Sequence, residues 1–319
     1  MNDNEIRLRY EGTGGSLLGL AIGNAVLTVL TLGIYSFWAR NKVREFHYSH
    51  TDLGGDRFAY HGTGTELFRG YLKASGIVLL LAIGFGVLSL LTGGETATPL
   101  TQVLVVGVFY LGLFVLVIFA INGARRYRMS RSSWRGIKFS YHGKSEEFAK
   151  MMLRGILLQI VTLGFYSPYF ENQRRAYLVN HTRFGTEEFR YAAPADPLVK
   201  EWLKALLLTI PTLGLIWVWY SAFRHRYFWS NTHISDGRFD SQVTGEEIMG
   251  LGVINVVLAI VTLGIAAPWI ITRTHAFWCS RLALVGAVDW AAIQQRAQAA
   301  SEAAEGLADS MDVDVGIEL

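Results

Sequence analysis

The sequence predicts a mainly α, polytopic membrane protein of five tandem units of about 50 residues, with about six transmembrane or re-entrant segments. Each unit is expected to hold an apolar helix and a short Phe-x-Tyr strand or hairpin. The first observation behind this is a recurring Thr-Leu-Gly. It opens at Thr162, Thr212 and Thr262, 50 residues apart, and at Thr31, 131 residues before Thr162. That larger gap equals two units of 50 plus an insertion of 31. The second is composition: 51% hydrophobic and 17% charged, against about 25% charged in a soluble domain. The third is six apolar stretches, 17–38, 74–92, 103–121, 151–170, 203–221 and 248–271. Each is long enough for a helix to cross about 30 Å of hydrocarbon.

Taken in order, unit one is 1–57. Its polar start lacks the basic, apolar and cleavage regions of a secretory signal, so its apolar stretch is expected to stay in the mature protein. Unit two, 58–138, carries the insertion as a helical hairpin, 74–92 and 103–121. The connector Thr92 to Gln102 has no Lys or Arg, whereas Arg69, Lys73, Arg125, Arg126 and Arg128 flank the outer ends. The positive-inside rule then puts both ends in the cytoplasm. Units three to five are 139–188, 189–238 and 239–290. Thr51, Ser132, Thr182 and Thr232 align, and Phe58, Phe139, Phe189 and Phe239 follow each by seven residues. Alternating Phe-x-Tyr beside a Gly turn reads as a strand end. With Leu8-Arg9-Tyr10 as one more, five short strands are expected to join a small sheet at the membrane surface. The stretch 291–319, Ala-rich and acidic, reads as a disordered tail. From Asp289 onward the balance is −6, against +9 for the rest.

Two topologies compete. If all six stretches cross once, the basic loop 171–202 falls outside while its equivalents 39–73 and 222–247 fall inside. Alternatively, each Thr-Leu-Gly is the tip of a re-entrant hairpin, and every basic loop shares the cytoplasmic face. Gly33, Gly164, Gly214 and Gly264 suit a helix end or tight turn. Glu66, Glu147 and Glu247 suit helix starts. Trp38, Tyr169, Trp219 and Trp269 suit an interfacial belt.

A base stands seven residues before each aligned Thr or its equivalent: Arg44, Arg125, Arg175, His225 and His275. These are the candidates for anionic lipid headgroups or another anion, against the plainer reading of a topology anchor. Asn24, Gln159 and Asn255 are amides within apolar stretches. They are candidate ligand-path residues, against the plainer reading of interhelical hydrogen bonding. No Asp or Glu lies in the apolar stretches, which weakens an ion-coupled transporter. His47 and His50 lack a third ligand nearby, so no metal is expected. Cys279, the only cysteine, excludes an intrachain disulfide. Gly62-Thr63-Gly64 lacks the Lys-Ser/Thr ending of a phosphate loop. No catalytic residues, cofactor or nucleic-acid partner are expected.

The blocks Thr31-Leu32-Gly33-Ile34-Tyr35-Ser36-Phe37-Trp38-Ala39-Arg40 and Phe58-Ala59-Tyr60-His61-Gly62-Thr63-Gly64-Thr65-Glu66-Leu67-Phe68 resemble the YjgN-like bacterial inner-membrane proteins, whose domain is of unknown function, number 898. The resemblance covers about 7–290. Later copies depart from it, with Ala193 for the Gly and Ser241 for the Tyr of the strand block. It implies an inner-membrane location and several transmembrane helices, with the lipid bilayer as partner, and it implies no substrate. The expected function is therefore a non-enzymatic, multi-pass inner-membrane protein. It is either a transporter or channel for a small solute, or a structural or lipid-interacting scaffold with a basic cytoplasmic face.

Overall fold

The computed structural model describes residues 5–286, 288–290, 292 and 293. Ten short strands close into one antiparallel barrel. They are β1 (Glu5–Tyr10), β2 (Thr51–Leu53), β3 (Asp56–Tyr60), β4 (Ser132–Trp134), β5 (Ile137–Tyr141), β6 (Thr182–Phe184), β7 (Glu187–Tyr191), β8 (Thr232–Ile234), β9 (Gly237–Ser241) and β10 (Leu282–Val285). Sequence neighbours pair throughout, and β1 pairs with both β2 and β10. The first strand therefore closes the barrel onto the last, and no edge is left for another chain to pair with. Tight loops such as Gly54-Gly55, φ 65° and 93°, join the hairpins. Two consecutive positive φ values match the right-handed twist of the flanking strands.

Period-two alternation sends one residue in two inward. Leu8 faces Leu53, Phe58 faces Trp134, Phe139 faces Phe184, Phe189 faces Ile234, and Phe239 faces Leu284. These ten residues form one packed layer. The four Phe of the longer strands stack in series at 6.2–6.4 Å. At the barrel mouth Trp290 and Ile293 join the same core, with Trp290 edge-on to Trp134 at 4.7 Å.

The helices come in five pairs. They are α1 (Gly14–Leu30) with α2 (Ser36–Ser49), α3 (Gly64–Leu91) with α4 (Pro99–Ser130), α5 (Ser145–Val161) with α6 (Ser167–Asn180), α7 (Asp196–Leu208) with α8 (Ile216–Ser230), and α9 (Gly245–Val261) with α10 (Ala267–Ser280). In each pair the first arm rises from a barrel strand and the second returns to the next strand. Each second arm also packs on the following first arm, and α10 closes onto α1. At these joins Trp38 covers Gly64, Trp219 covers Gly245, and Trp269 covers Gly14. Three of the four aromatics expected in an interfacial belt thus serve as packing wedges.

Thr-Leu-Gly forms the tip of four pairs. The Thr hydroxyl donates back to the carbonyl four residues earlier and accepts the amide four residues later, as with Thr31 on Leu27 and Tyr35. It thereby links the two arms. Leu32, Leu163, Leu213 and Leu263 take φ of 49–52°, and the following Gly takes 82–91°. A non-glycine residue there costs about 1–2 kcal/mol, yet all four Leu are 89–94% exposed.

Two expectations are corrected. The fold is not a mainly α protein with a small accessory sheet of five strands, because ten strands build a closed barrel at its centre. Nor are there about six spans. Two helices, α3 with 28 residues and α4 with 32, are long and apolar enough to cross a membrane among the described residues. The stretches 17–38, 151–170, 203–221 and 248–271 are each broken at Thr-Leu-Gly into two helices, because a positive φ at Leu and Gly ends the first arm. The first arms of these pairs have 13–17 residues, about 20–25 Å at 1.5 Å per residue. The acidic tail lies outside the described residues beyond Ile293.

Candidate functional site

Above the apolar layer of the barrel lies a polar layer. Tyr10 pairs with Thr51, Tyr60 with Ser132, Tyr141 with Thr182, Tyr191 with Thr232, and Ser241 with Leu282. Tyr60, Tyr141 and Tyr191 are two residues from the inward Phe of their strands and are buried. Buried phenols need partners. The Tyr141 hydroxyl donates to Asn122 at 2.8 Å and that of Tyr191 to Asn172 at 2.6 Å. Asn122 and Asn172 in turn donate to the carbonyls of Gly143 and Ala193, at 3.2 and 2.9 Å. Asn41 makes the equivalent bond to Gly62 at 2.5 Å.

The five aligned bases lie on the second arms, directly over this layer. Arg44 donates to the Tyr60 hydroxyl at 3.4 Å. Arg125 donates to the Leu178 carbonyl at 3.3 Å and to Thr182 at 3.2 Å, and lies 5.4 Å over the Tyr141 ring. Arg175 donates to Thr232 at 3.3 Å and sits 4.7 Å over Trp229. His225 bonds Ser241 at 2.9 Å and lies against Trp278 at 4.6 Å. His275 stacks on His47 at 4.0 Å, and the Tyr10 hydroxyl bonds His47 Nδ1 at 2.8 Å. Tyr10 is the member of the polar layer that β1 supplies, and Ser241 stands where β9 would carry a fifth Tyr. The five bases form one ring at the junction of barrel and helices.

Burial dominates the acid–base behaviour of Arg175 and of the histidines here. It pulls the Arg175 guanidinium down to about 10, with Arg125 adding repulsion and Tyr191 opposing. Burial, then Arg175, Arg224 and Arg226, pulls His225 down to about 4. Burial, then His275 and His50, does the same to His47. Burial pushes Tyr141 up to about 12 and Cys279 up to about 11. At neutral pH both ring histidines, His225 and His275, are neutral, because burial lowers each of them. The two histidines lowered furthest, His225 and His47, give a sign. Unfolded histidine protonates near 6.5 and the folded ones near 4, so the unfolded state takes up protons first. Stability is fully present above about pH 6.5 and declines toward pH 4. Thermal melts at pH 7.5 and pH 5 are expected to show this loss, and His225→Gln is expected to flatten part of it. An unchanged pH slope in that variant removes His225 as a source.

The amide candidates are not brought together. Asn24 on α1 donates to the Ala39 carbonyl of its own partner arm at 3.5 Å. Asn255 on α9 donates to Thr274 of α10 at 3.1 Å. Gln159 on α5 is half-buried and makes no side-chain hydrogen bond among the described residues. The helix α5 packs on α4 and α6, away from both others. Glu66 and Glu247 close capping boxes with Thr63 and Thr244, and bind Arg131 and Arg281. Among the described residues no cluster of three or more His, Cys, Asp or Glu is placed to hold a metal. The sequence reading missed Asn41, Asn122 and Asn172. Each stands three residues before a ring Arg, so the same alignment that gave the ring also gives them.

The chain matches the family described as "Bacterial protein of unknown function (DUF898)" over residues 5–216 and 205–310. The chain belongs to that family. Curated relatives carry the name Inner membrane protein YjgN. The one from Escherichia coli O157:H7 is 30% identical over 133 residues, 42% of this chain and 30% of the relative. That from Escherichia coli strain K12 is 30% identical over 139 residues, 44% and 32% of the two chains. The Salmonella typhimurium protein is 30% identical over 134 residues, 42% and 31%. The matched stretch thus spans about a third of the length of these relatives. No solved structure matches the chain. Membership in this family bears out the resemblance carried by the Thr-Leu-Gly and Phe-x-Tyr blocks. The protein is a bacterial inner-membrane protein of unknown activity.

Proposed function

We propose that the protein is a non-enzymatic, lipid-interacting scaffold that embeds from the cytoplasmic side, with α3 and α4 crossing the bilayer and the other four helix pairs dipping into it. The observation that carries this is the tip leucines. Leu32, Leu163, Leu213 and Leu263 are 89–94% exposed at a costly positive φ. Exposed apolar groups in a strained conformation are unfavourable in water, and in hydrocarbon their burial offsets the strain. Arms of about 20–25 Å stop short of the roughly 30 Å core. The ring bases and the barrel lie together at the opposite end of the arms, which the positive-inside rule assigns to the cytoplasm. A solute channel finds less support, because the barrel axis is filled by its apolar layer and by Ile293.

Single-cysteine labelling in a Cys279→Ser background tests the proposal. An impermeant thiol reagent supplied from the periplasmic side is expected to label Thr96→Cys, at the α3–α4 connector, and to spare Arg57→Cys, Glu188→Cys and Arg238→Cys on the barrel. Labelling of any barrel position from that side overturns the one-sided arrangement.

A further inference from the structure

A guanidinium taken out of water without a counter-ion is expensive, and buried charges are normally paired. Arg125 and Arg175, half-buried residues with fully buried Nε atoms, break this rule, and the half-buried Arg44 stands at the equivalent place beside them. Their bonds go to neutral groups: the Tyr60 hydroxyl, the Leu178 carbonyl, and the Thr182 and Thr232 hydroxyls. None of the three makes a salt bridge among the described residues. Glu66 pairs with Arg131 and Glu247 with Arg281, and Glu171 pairs with Arg224 through one oxygen while its other oxygen is buried without a partner. The Nε atoms of Arg125 and Arg175 are buried with no hydrogen-bond partner. Three cations around one axis thus lack a negative charge.

A second feature narrows what supplies it. A groove of about 690 Å³ runs between α1 and α2. Ala21, Ala25, Val29 and Ala39 give it apolar lining beside a few polar side chains, and Arg40 and Arg44 line it from α2. Arg44 therefore belongs to both the ring and the groove. A small anion would use only the ring. An amphiphile with an anionic head uses both.

We propose that the ring is the headgroup site for an anionic phospholipid. Its phosphate lies among Arg44, Arg125 and Arg175, and an acyl chain lies in the α1–α2 groove. Guanidinium forks suit phosphate oxygens, and the bound charge satisfies the two orphaned Nε donors. The assignment rests on the membrane-scaffold reading for how lipid reaches the ring. Its test in detergent reports on the ring whichever way the labelling result falls.

The test uses the full chain purified in neutral detergent, with phosphatidylglycerol, phosphatidylcholine or inorganic phosphate added. Retained lipid is read by native mass spectrometry and stabilisation by thermal shift. Phosphatidylglycerol is expected to be retained and to raise Tm, while phosphatidylcholine and inorganic phosphate do not. Arg125→Gln with Arg175→Gln is expected to weaken phosphatidylglycerol binding about tenfold or more. Arg174→Gln, the sequence neighbour outside the ring, is expected to bind as the parent does. Ala25→Trp changes an exposed groove residue. It leaves the ring intact, so it serves even where the double Arg variant fails to fold, and it is expected to weaken phosphatidylglycerol binding as well. Three results overturn the proposal: equal binding by the double Arg variant, equal binding by Ala25→Trp, or a Tm shift with inorganic phosphate that matches the lipid.

Discussion

Replacing Phe184 by alanine is expected to cost about 3–5 kcal/mol of stability. Phe184 is 1% exposed and stands where three aromatic contacts meet. Its ring lies 4.8 Å from Phe139, 5.7 Å from Trp134 and 6.5 Å from Trp290. Truncation leaves a cavity in a barrel whose walls are hydrogen-bonded all round, so the site has little freedom to collapse, which favours the upper part of that range. The effect should appear as a Tm drop of roughly 6 °C or more in detergent, followed by tryptophan fluorescence. Lys138→Ala, on the exposed outer face of the adjoining strand, is expected to stay within about 0.5 kcal/mol. If both variants melt alike, the apolar layer is not the packing centre of the protein.

That layer explains why part of the architecture was legible and part was not. Phe58, Phe139, Phe189 and Phe239 share a register visible as a spacing, and the tyrosines two residues on reveal strand alternation. The partner strands are three residues long, as in Thr51–Leu53 and Thr182–Phe184. Three residues are too few to show a period. Closure depends on β1 meeting β10, a pairing between positions near the two ends of the described chain that no local pattern encodes.

The helices were misjudged for a different reason. A hydropathy stretch such as 151–170 runs through Thr162-Leu163-Gly164 without a break, because Leu163 is as apolar as its neighbours. The break is in φ, and a leucine at 50° leaves no compositional mark. The alignment of bases was readable because a single strand offset governs it. Arg44, Arg125, Arg175 and His225 each precede an inward Tyr or Ser, at Tyr60, Tyr141, Tyr191 and Ser241, by 16 residues. The amides had no such anchor. Asn24 and Asn255 are each absorbed within their own helix pair.

The glycines under the tryptophans give the second large effect, and they separate side-chain from backbone obstruction. At Gly14 an added Cβ would lie 2.4 Å from both Cδ1 and Cγ of Trp269, where α10 closes onto α1. At Gly64 it would lie 2.4 Å from the Trp38 Cγ and also 2.7 Å from the Trp38 Cα. An indole can be removed by mutation and a backbone atom cannot. Gly14→Ala and Gly64→Ala are each expected to destabilise by about 1–3 kcal/mol through overpacking. Adding Trp269→Ala to Gly14→Ala should remove the clash, so the double variant is expected to be no less stable than Trp269→Ala alone. Adding Trp38→Ala to Gly64→Ala should leave a penalty, because the backbone of residue 38 still obstructs the new methyl group. Double-mutant cycles on thermal melts measure both couplings. A full rescue at both sites rules out backbone obstruction at Gly64. An absence of coupling at Gly14 means that Trp269 swings out freely and does not hold the ring of helices closed.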